Sequence, residues 1–112
     1  MIRNKYYARK CCLDGIEFDS NHEMQRYAQL KMLQRAGKIS DLKLQVSFEL
    51  VPRQDNICGK MLERPVRYIA DFVYKDEAGN TVVEDAKGKR TKEYIIKRKL
   101  MLYKYRIRIR EV

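Results

Sequence analysis

The sequence predicts a single α/β domain with the element order hairpin, helix, strand, strand, strand, helix, strand. Three observations predict it. Two segments, from Ser20 to about Ala36 and from about Lys92 to Tyr105, repeat apolar residues at helical spacing. Leu42, Leu44, Val46, Phe48 and Leu50 alternate with polar residues, as on a half-buried strand. Val66 to Gly88 sets two β-branched and aromatic runs around a polar centre containing Gly79-Asn80, the pattern of a β-hairpin. A chain of 112 residues has room for one modest core.

Taken in order, residues 1–10 are a basic arm with Tyr6 and Tyr7. Such an arm either lies on a nucleic-acid backbone with a tyrosine stacked on a base, or is a mobile terminus. Asp14-Gly15 suits a type I′ turn between Cys11–Leu13 and Ile16–Phe18, so residues 1–19 read as arm and short hairpin and residues 20–112 as the domain proper. Ser20 opens the first helix and Gly37 stands as its stop, with Met24, Tyr27, Ala28, Leu30 and Leu33 on the apolar stripe. Ser20-x-x-Glu23 has the form of a capping box. The strand from Ile39 ends at Pro52, and Arg53 to Arg64 has no clean period and reads as a loop. In the second helix Ile95, Ile96, Leu100, Leu102 and Tyr103 supply the apolar face. Tyr105 to Val112 reads as a strand with isoleucines inward and Arg106, Arg108 and Arg110 outward, either protecting a sheet edge or forming a phosphate-binding row.

Twenty-five Lys and Arg against 15 Asp and Glu give a formal net charge of +10, which favours a polyanionic partner, above all nucleic acid. Cys11, Cys12 and Cys58 form neither a disulfide framework nor a zinc knuckle, and His22 is the sole histidine, so a zinc site or a Ser-His-Asp triad is not expected. With no apolar run long enough to span a bilayer and no signal-peptide pattern, the expected setting is cytoplasmic, without a membrane partner.

The candidate chemistry lies on the hairpin. Side chains alternate faces along a strand, so Ile69, Asp71 and Val73 share one face of the first strand. On the second, Val83, Asp85 and Lys87 share a face opposite Val82, Glu84 and Ala86. That register brings Asp71, Asp85 and Lys87 together. Two carboxylates beside apolar surface call for a partner, and a hard divalent cation is one that binds such oxygens along with phosphate. An ordinary same-face ion pair of Asp85 and Lys87 is the plainer alternative.

At Asp71 and Asp85-Ala86-Lys87 the chain resembles the PD-(D/E)XK, or restriction-endonuclease-like, nuclease superfamily, with Ala70 where a proline often precedes the first Asp. Phe18-Asp19-Ser20 and Tyr68-Ile69-Ala70-Asp71-Phe72 look most like small phage-encoded nucleases related to Holliday-junction resolvases. The resemblance implies an αβββαβ core with a mixed sheet flanked by helices. It implies a Mg²⁺-dependent endonuclease of DNA, extending to branched DNA, with Mn²⁺ able to substitute. Glu23, Asp71 and Asp85 would be metal ligands with the carbonyl of Ala86, so Glu23 has a second reading beside its cap. Lys87 would hold the attacking water. Lys89, Arg90, Lys92, Lys97 and Lys99 are the candidates for phosphate contacts. So small a chain is expected to act as a homodimer. Two rivals keep the charge without the chemistry: a non-catalytic nucleic-acid-binding module, and a basic structural or assembly protein.

Overall fold

The computed structural model describes residues 11–86 and 89–112; the basic arm, Lys87 and Gly88 lie outside the described residues. A hairpin of β1 (Cys11–Leu13) and β2 (Ile16–Phe18) precedes α1 (Asn21–Arg35). Then come β3 (Ser40–Val51), β4 (Gln54–Asp55), β5 (Met61–Glu63), β6 (Val66–Lys75), β7 (Thr81–Asp85), α2 (Lys92–Tyr105) and β8 (Arg110–Glu111). The main sheet runs β3-β6-β7-β8, with the first two pairings antiparallel and β7–β8 parallel. It is therefore a mixed sheet in an α/β fold.

Local chemistry sets the helix ends. The Ser20 hydroxyl accepts from the Glu23 N–H at 3.1 Å, and the Thr91 hydroxyl caps α2 through the Tyr94 N–H. At the other end of α1, Gly37 takes φ +77°. Its N–H reaches the Gln34 carbonyl while that of Lys38 reaches Leu33, the paired bonds of a Schellman stop. Asp14 and Gly15 both have positive φ, as the type I′ turn of β1–β2 requires. That hairpin is part of the body: Phe18 packs on Tyr27 at 5.1 Å, and the Tyr27 hydroxyl donates to Asp14.

Two cores sandwich the sheet. Phe18, Tyr27, Leu30, Phe72 and Tyr74 form the one under α1. Leu50, Tyr68, Ala70, Val83, Tyr94, Met101 and Ile109 form the one under α2. Even-numbered residues of β6 therefore serve both cores, Tyr68 and Ala70 facing α2 and Phe72 and Tyr74 facing α1. Along β3 the same change occurs, Leu42 and Leu44 packing toward α1 and Phe48 and Leu50 toward α2. The switch lies at Gln45 and Asp71. Leu44 pairs with Phe72 and Val46 with Ala70, but no pair joins the two residues between. Each strand has one unpaired residue there, so the ladder resumes in step with its faces exchanged. This corrects the expected shared face of Ile69, Asp71 and Val73: Val73 packs toward α2, Ile69 is exposed, and Asp71 stands at the seam.

Three other expectations change. Arg53 to Arg64 is not a plain loop, since β4 and β5 pair around a turn whose Asn56 side chain accepts from the N–H groups of Cys58 and Lys60. Every residue from Pro52 to Arg64 is exposed, so no apolar period betrays the strands. The apolar face of α2 is centred elsewhere: Tyr94 and Met101 are buried, whereas Ile96 and Tyr103 are 58% and 79% exposed. Tyr94, Arg98, Met101 and Tyr105 lie at helical spacing, and the tyrosines carry the stripe that aliphatic letters alone misplace. At the C-terminus only Arg110–Glu111 pairs as a strand, although Ile109 is buried and Arg106 and Arg108 are exposed as the alternation predicts.

Candidate active site at the strand seam

Glu23 lies on the inward stripe of α1 with Tyr27 and Leu30, at positions i, i+4 and i+7, so its side chain faces the sheet. Its N–H serves the helix cap while its carboxylate turns to the seam. There the Gln45 side-chain amide donates to Glu23 Oε2 and to Asp71 Oδ1, each at 3.2 Å. Asp71 Oδ2 accepts from the backbone N–H of Ala86 at 2.8 Å. The β6–β7 ladder runs as far as Phe72 opposite Glu84, and beyond it the Asp71 side chain takes the place of a backbone partner. Asp71 thus sits at a fork between β3, β6 and β7. A pocket of about 120 Å³ lined by Phe18, Asp19, Glu23, Leu44 and Gln45 opens beside it.

The neighbouring acids have different surroundings. Glu84 faces α1 and is fully buried. The Arg26 guanidinium donates to both its oxygens, at 2.8 and 2.7 Å, and the Tyr74 hydroxyl donates to Oε2. Asp85 faces α2, 1% exposed, and its Oδ2 accepts from the Tyr68 hydroxyl at 2.6 Å. Burial, followed by this bond and the charge of Asp85, raises the Tyr68 phenol well above its ordinary range. Among the described residues no three His, Cys, Asp or Glu side chains gather as metal ligands. The expected meeting of three acids is here a meeting of two, Glu23 and Asp71. Asp85 is drawn toward Tyr68 because β7 keeps strict alternation while Asp71 has left it.

The pair nevertheless has the character of a cation site. Glu23 is pushed up to about 7, first by burial, then by the charges of Asp71 and Asp19. Two carboxylates share one amide donor, and each retains lone pairs for a further partner. All-oxygen donors of this kind suit Mg²⁺, which commonly takes one or two carboxylates and fills its remaining positions with water and phosphate.

A family model described as a protein of unknown function, DUF1064, matches residues 3–111. The chain belongs to that family. No curated protein and no solved structure matches it.

The remaining sequence-derived candidates in this DUF1064 chain divide into two groups. Lys89, Lys92 and Lys99 are exposed, as phosphate contacts require. Arg90 pairs with Glu111 at 2.6 Å and Lys97 with Glu93 at 3.1 Å, so both have partners within the protein. Lys87 lies outside the described residues, and the Ala86 N–H donates to Asp71. His22 Nε2 lies 2.9 Å from the Val112 carbonyl, and the Val112 N–H donates to the Asp85 carbonyl, fastening the chain end beside the fork. The residue that sequence reading missed is Gln45, placed by alternation on the wet face of β3. No helix of the described residues is long and apolar enough to cross a membrane.

Stability should report the burial of Glu23 beside Asp71. The Glu23 carboxyl is raised from 4.5 to about 7 in the fold. Its contribution is therefore fully present below pH 4.5 and is lost as pH rises through about 7. Metal-free protein is expected to lose roughly 1–3 kcal/mol from this group across that window. Urea denaturation at a series of pH values should show a flatter profile for Glu23→Gln. An unchanged profile would mean that the Glu23 carboxyl is not raised by its burial beside Asp71.

Proposed function

We propose that this protein is a Mg²⁺-dependent DNA endonuclease. The observation that carries the reading is the Glu23–Asp71 pair at the strand fork, one residue from the start of Asp85-Ala86-Lys87. The order α1-β3-β6-β7-α2-β8 of the helices and main-sheet strands, with β4–β5 set apart as a two-stranded insertion, and the net charge of +10 support it. Glu23 and Asp71 would hold the cation, with Asp85 joining from across the fork by exchanging its Tyr68 bond. A cation bound there supplies Lewis-acid polarisation of a phosphate oxygen and an acidified water. Lys87 then holds the attacking water and offsets charge on the phosphate. Lys89, Lys92 and Lys99 take neighbouring phosphates, which makes binding salt-dependent and largely indifferent to sequence. The finer reading is a homodimer acting on branched, Holliday-junction-like DNA.

The test is relaxation of supercoiled plasmid with Mg²⁺, Mn²⁺ or EDTA, wild type beside Lys87→Ala. Nicking that needs the metal and disappears with the lysine is the expected result. Nicking that survives Lys87→Ala would remove this mechanism. A panel of four-way, flapped, nicked and linear duplexes then tests the finer reading, which predicts the fastest cleavage on the four-way junction. One observation favours a second reading, a non-catalytic DNA-binding module: the Asp85 carboxylate is engaged with Tyr68. It predicts salt-sensitive binding with no response to Mg²⁺.

A further inference from the structure

Gln45 has an unusual backbone for a residue inside a long strand. Its φ is +52°, the left-handed region that L-residues other than Asn and Asp seldom visit. Nothing in the local sequence requires it: Leu44 and Val46 are ordinary strand residues. Positive φ at a non-glycine residue is a local cost that persists only where the surroundings hold it, and such residues cluster at functional sites. Here the surroundings are informative. Gln45 is the unpaired residue of β3 between Leu44 and Val46, set against the unpaired Asp71 of β6, and its side-chain nitrogen donates to both Glu23 and Asp71. A regular extended residue at this position would continue the ladder and keep both strands on their original faces.

We propose that Gln45 is the positioning residue of the site, holding the Glu23 and Asp71 carboxylates at the spacing a divalent cation needs. The inference rests on the nuclease reading for the identity of the cation, but its evidence is the backbone and the shared amide. An amide is the fitting group. It is neutral, so it adds no charge to compete for the metal. It donates two hydrogens from one nitrogen, so one side chain can engage two carboxylates. Each acid keeps unshared lone pairs for the ion. Partners that orient metal-binding carboxylates typically contribute 10–100-fold to affinity.

The experiment is Mn²⁺ titration by calorimetry, with thermal melting of the same samples, on wild type, Asp71→Asn, Gln45→Ala, Gln45→Gly and Gln45→Glu. Gln45→Ala is expected to weaken Mn²⁺ binding by about 10–100-fold. Gln45→Gly should weaken it equally while melting no lower than Gln45→Ala, since glycine accepts positive φ without strain. Gln45→Glu replaces the shared donor with a third carboxylate, so its melting temperature should fall at pH 8 and recover when Mn²⁺ is added. These responses separate positioning from a role in folding alone, which would lower the melting temperature and leave Mn²⁺ affinity unchanged. If wild type binds Mn²⁺, Asp71→Asn does not, and Gln45→Ala binds like wild type, the proposal is overturned and the metal site stands. If wild type binds Mn²⁺ no better than Asp71→Asn, both are overturned.

Discussion

Asp71→Asn is expected to abolish metal-dependent DNA cleavage while leaving the fold intact. Asp71 is the residue on which the fork is built: one oxygen accepts from Ala86, just past the end of β7, and the other shares Gln45 with Glu23 on α1. Asparagine keeps one acceptor oxygen and the same shape. It loses the charge that a cation and a phosphate would bridge. Removing a single electrostatic contact to a transition state commonly costs about 10²–10³-fold in turnover, and loss of a metal ligand should cost at least that. Stability should move the other way or not at all. The variant gives up one hydrogen bond, roughly 1 kcal/mol, but also relieves the repulsion that raises Glu23. Plasmid nicking and urea denaturation on one preparation check both halves. Wild-type nicking by Asp71→Asn would remove this carboxylate from the chemistry, whatever the melting curve shows.

Arg26→Ala should be among the most destabilising single changes on α1. Glu84 is fully buried, with the Arg26 guanidinium as its bidentate partner, Tyr74 donating to one oxygen and Arg110 3.9 Å away. The bond to Glu84 is the leading reason the Arg26 guanidinium is held even more firmly in its charged form. A buried ion pair need not stabilise a fold relative to apolar residues of the same shape, but removing one partner leaves the other charge without compensation. The expected loss is about 3–5 kcal/mol, a large part of the stability of a domain this size. Replacing both residues, as Arg26→Met with Glu84→Gln, should be much milder than the single truncation. Denaturant midpoints of the single and double variants check this. A loss under about 1 kcal/mol for Arg26→Ala would mean that Glu84 is compensated by Tyr74 and Arg110 alone.

Much of the fold could be read from the letters because local chemistry and burial agree there. Ser20, Thr91 and Gly37 terminate helices by hydrogen bonds their own residue types make, and Asp14-Gly15 supplies the two positive φ values of a tight turn. Asp71 is legible as a candidate from the hairpin pattern, whereas Glu23 reads locally as a helix cap and is a candidate only through the resemblance to the nuclease superfamily. The choice of Asp85 over Glu84 follows from alternation along β7, and Glu84 proves to be held by Arg26 on the opposite face. What could not be read was the exchange of faces at Gln45 and Asp71. Apolar residues occupy even positions along all of β6, and burial under α1 or under α2 selects the same letters. The convergence of three acids failed as an expectation because it assumed an unbroken pleat. Gln45 carried no signal of its own, since a glutamine between two strand residues is what a solvent-facing position looks like. The β4–β5 strands were hidden for the opposite reason: with every side chain exposed, backbone pairing leaves no mark on composition.

The paired irregularity has a consequence for how this chain can change length. Deleting Gln45 from β3 alone, or Asp71 from β6 alone, would leave an unmatched extra residue in the neighbouring strand, a one-sided bulge at the seam. Only a matched deletion of Gln45 and Asp71 restores an unbroken pleat, and because each unpaired residue shifts the alternation by one, both halves of each strand would keep the helices they now face. The two positions are thus tied as a unit against insertion and loss, although they lie 26 positions apart in the chain.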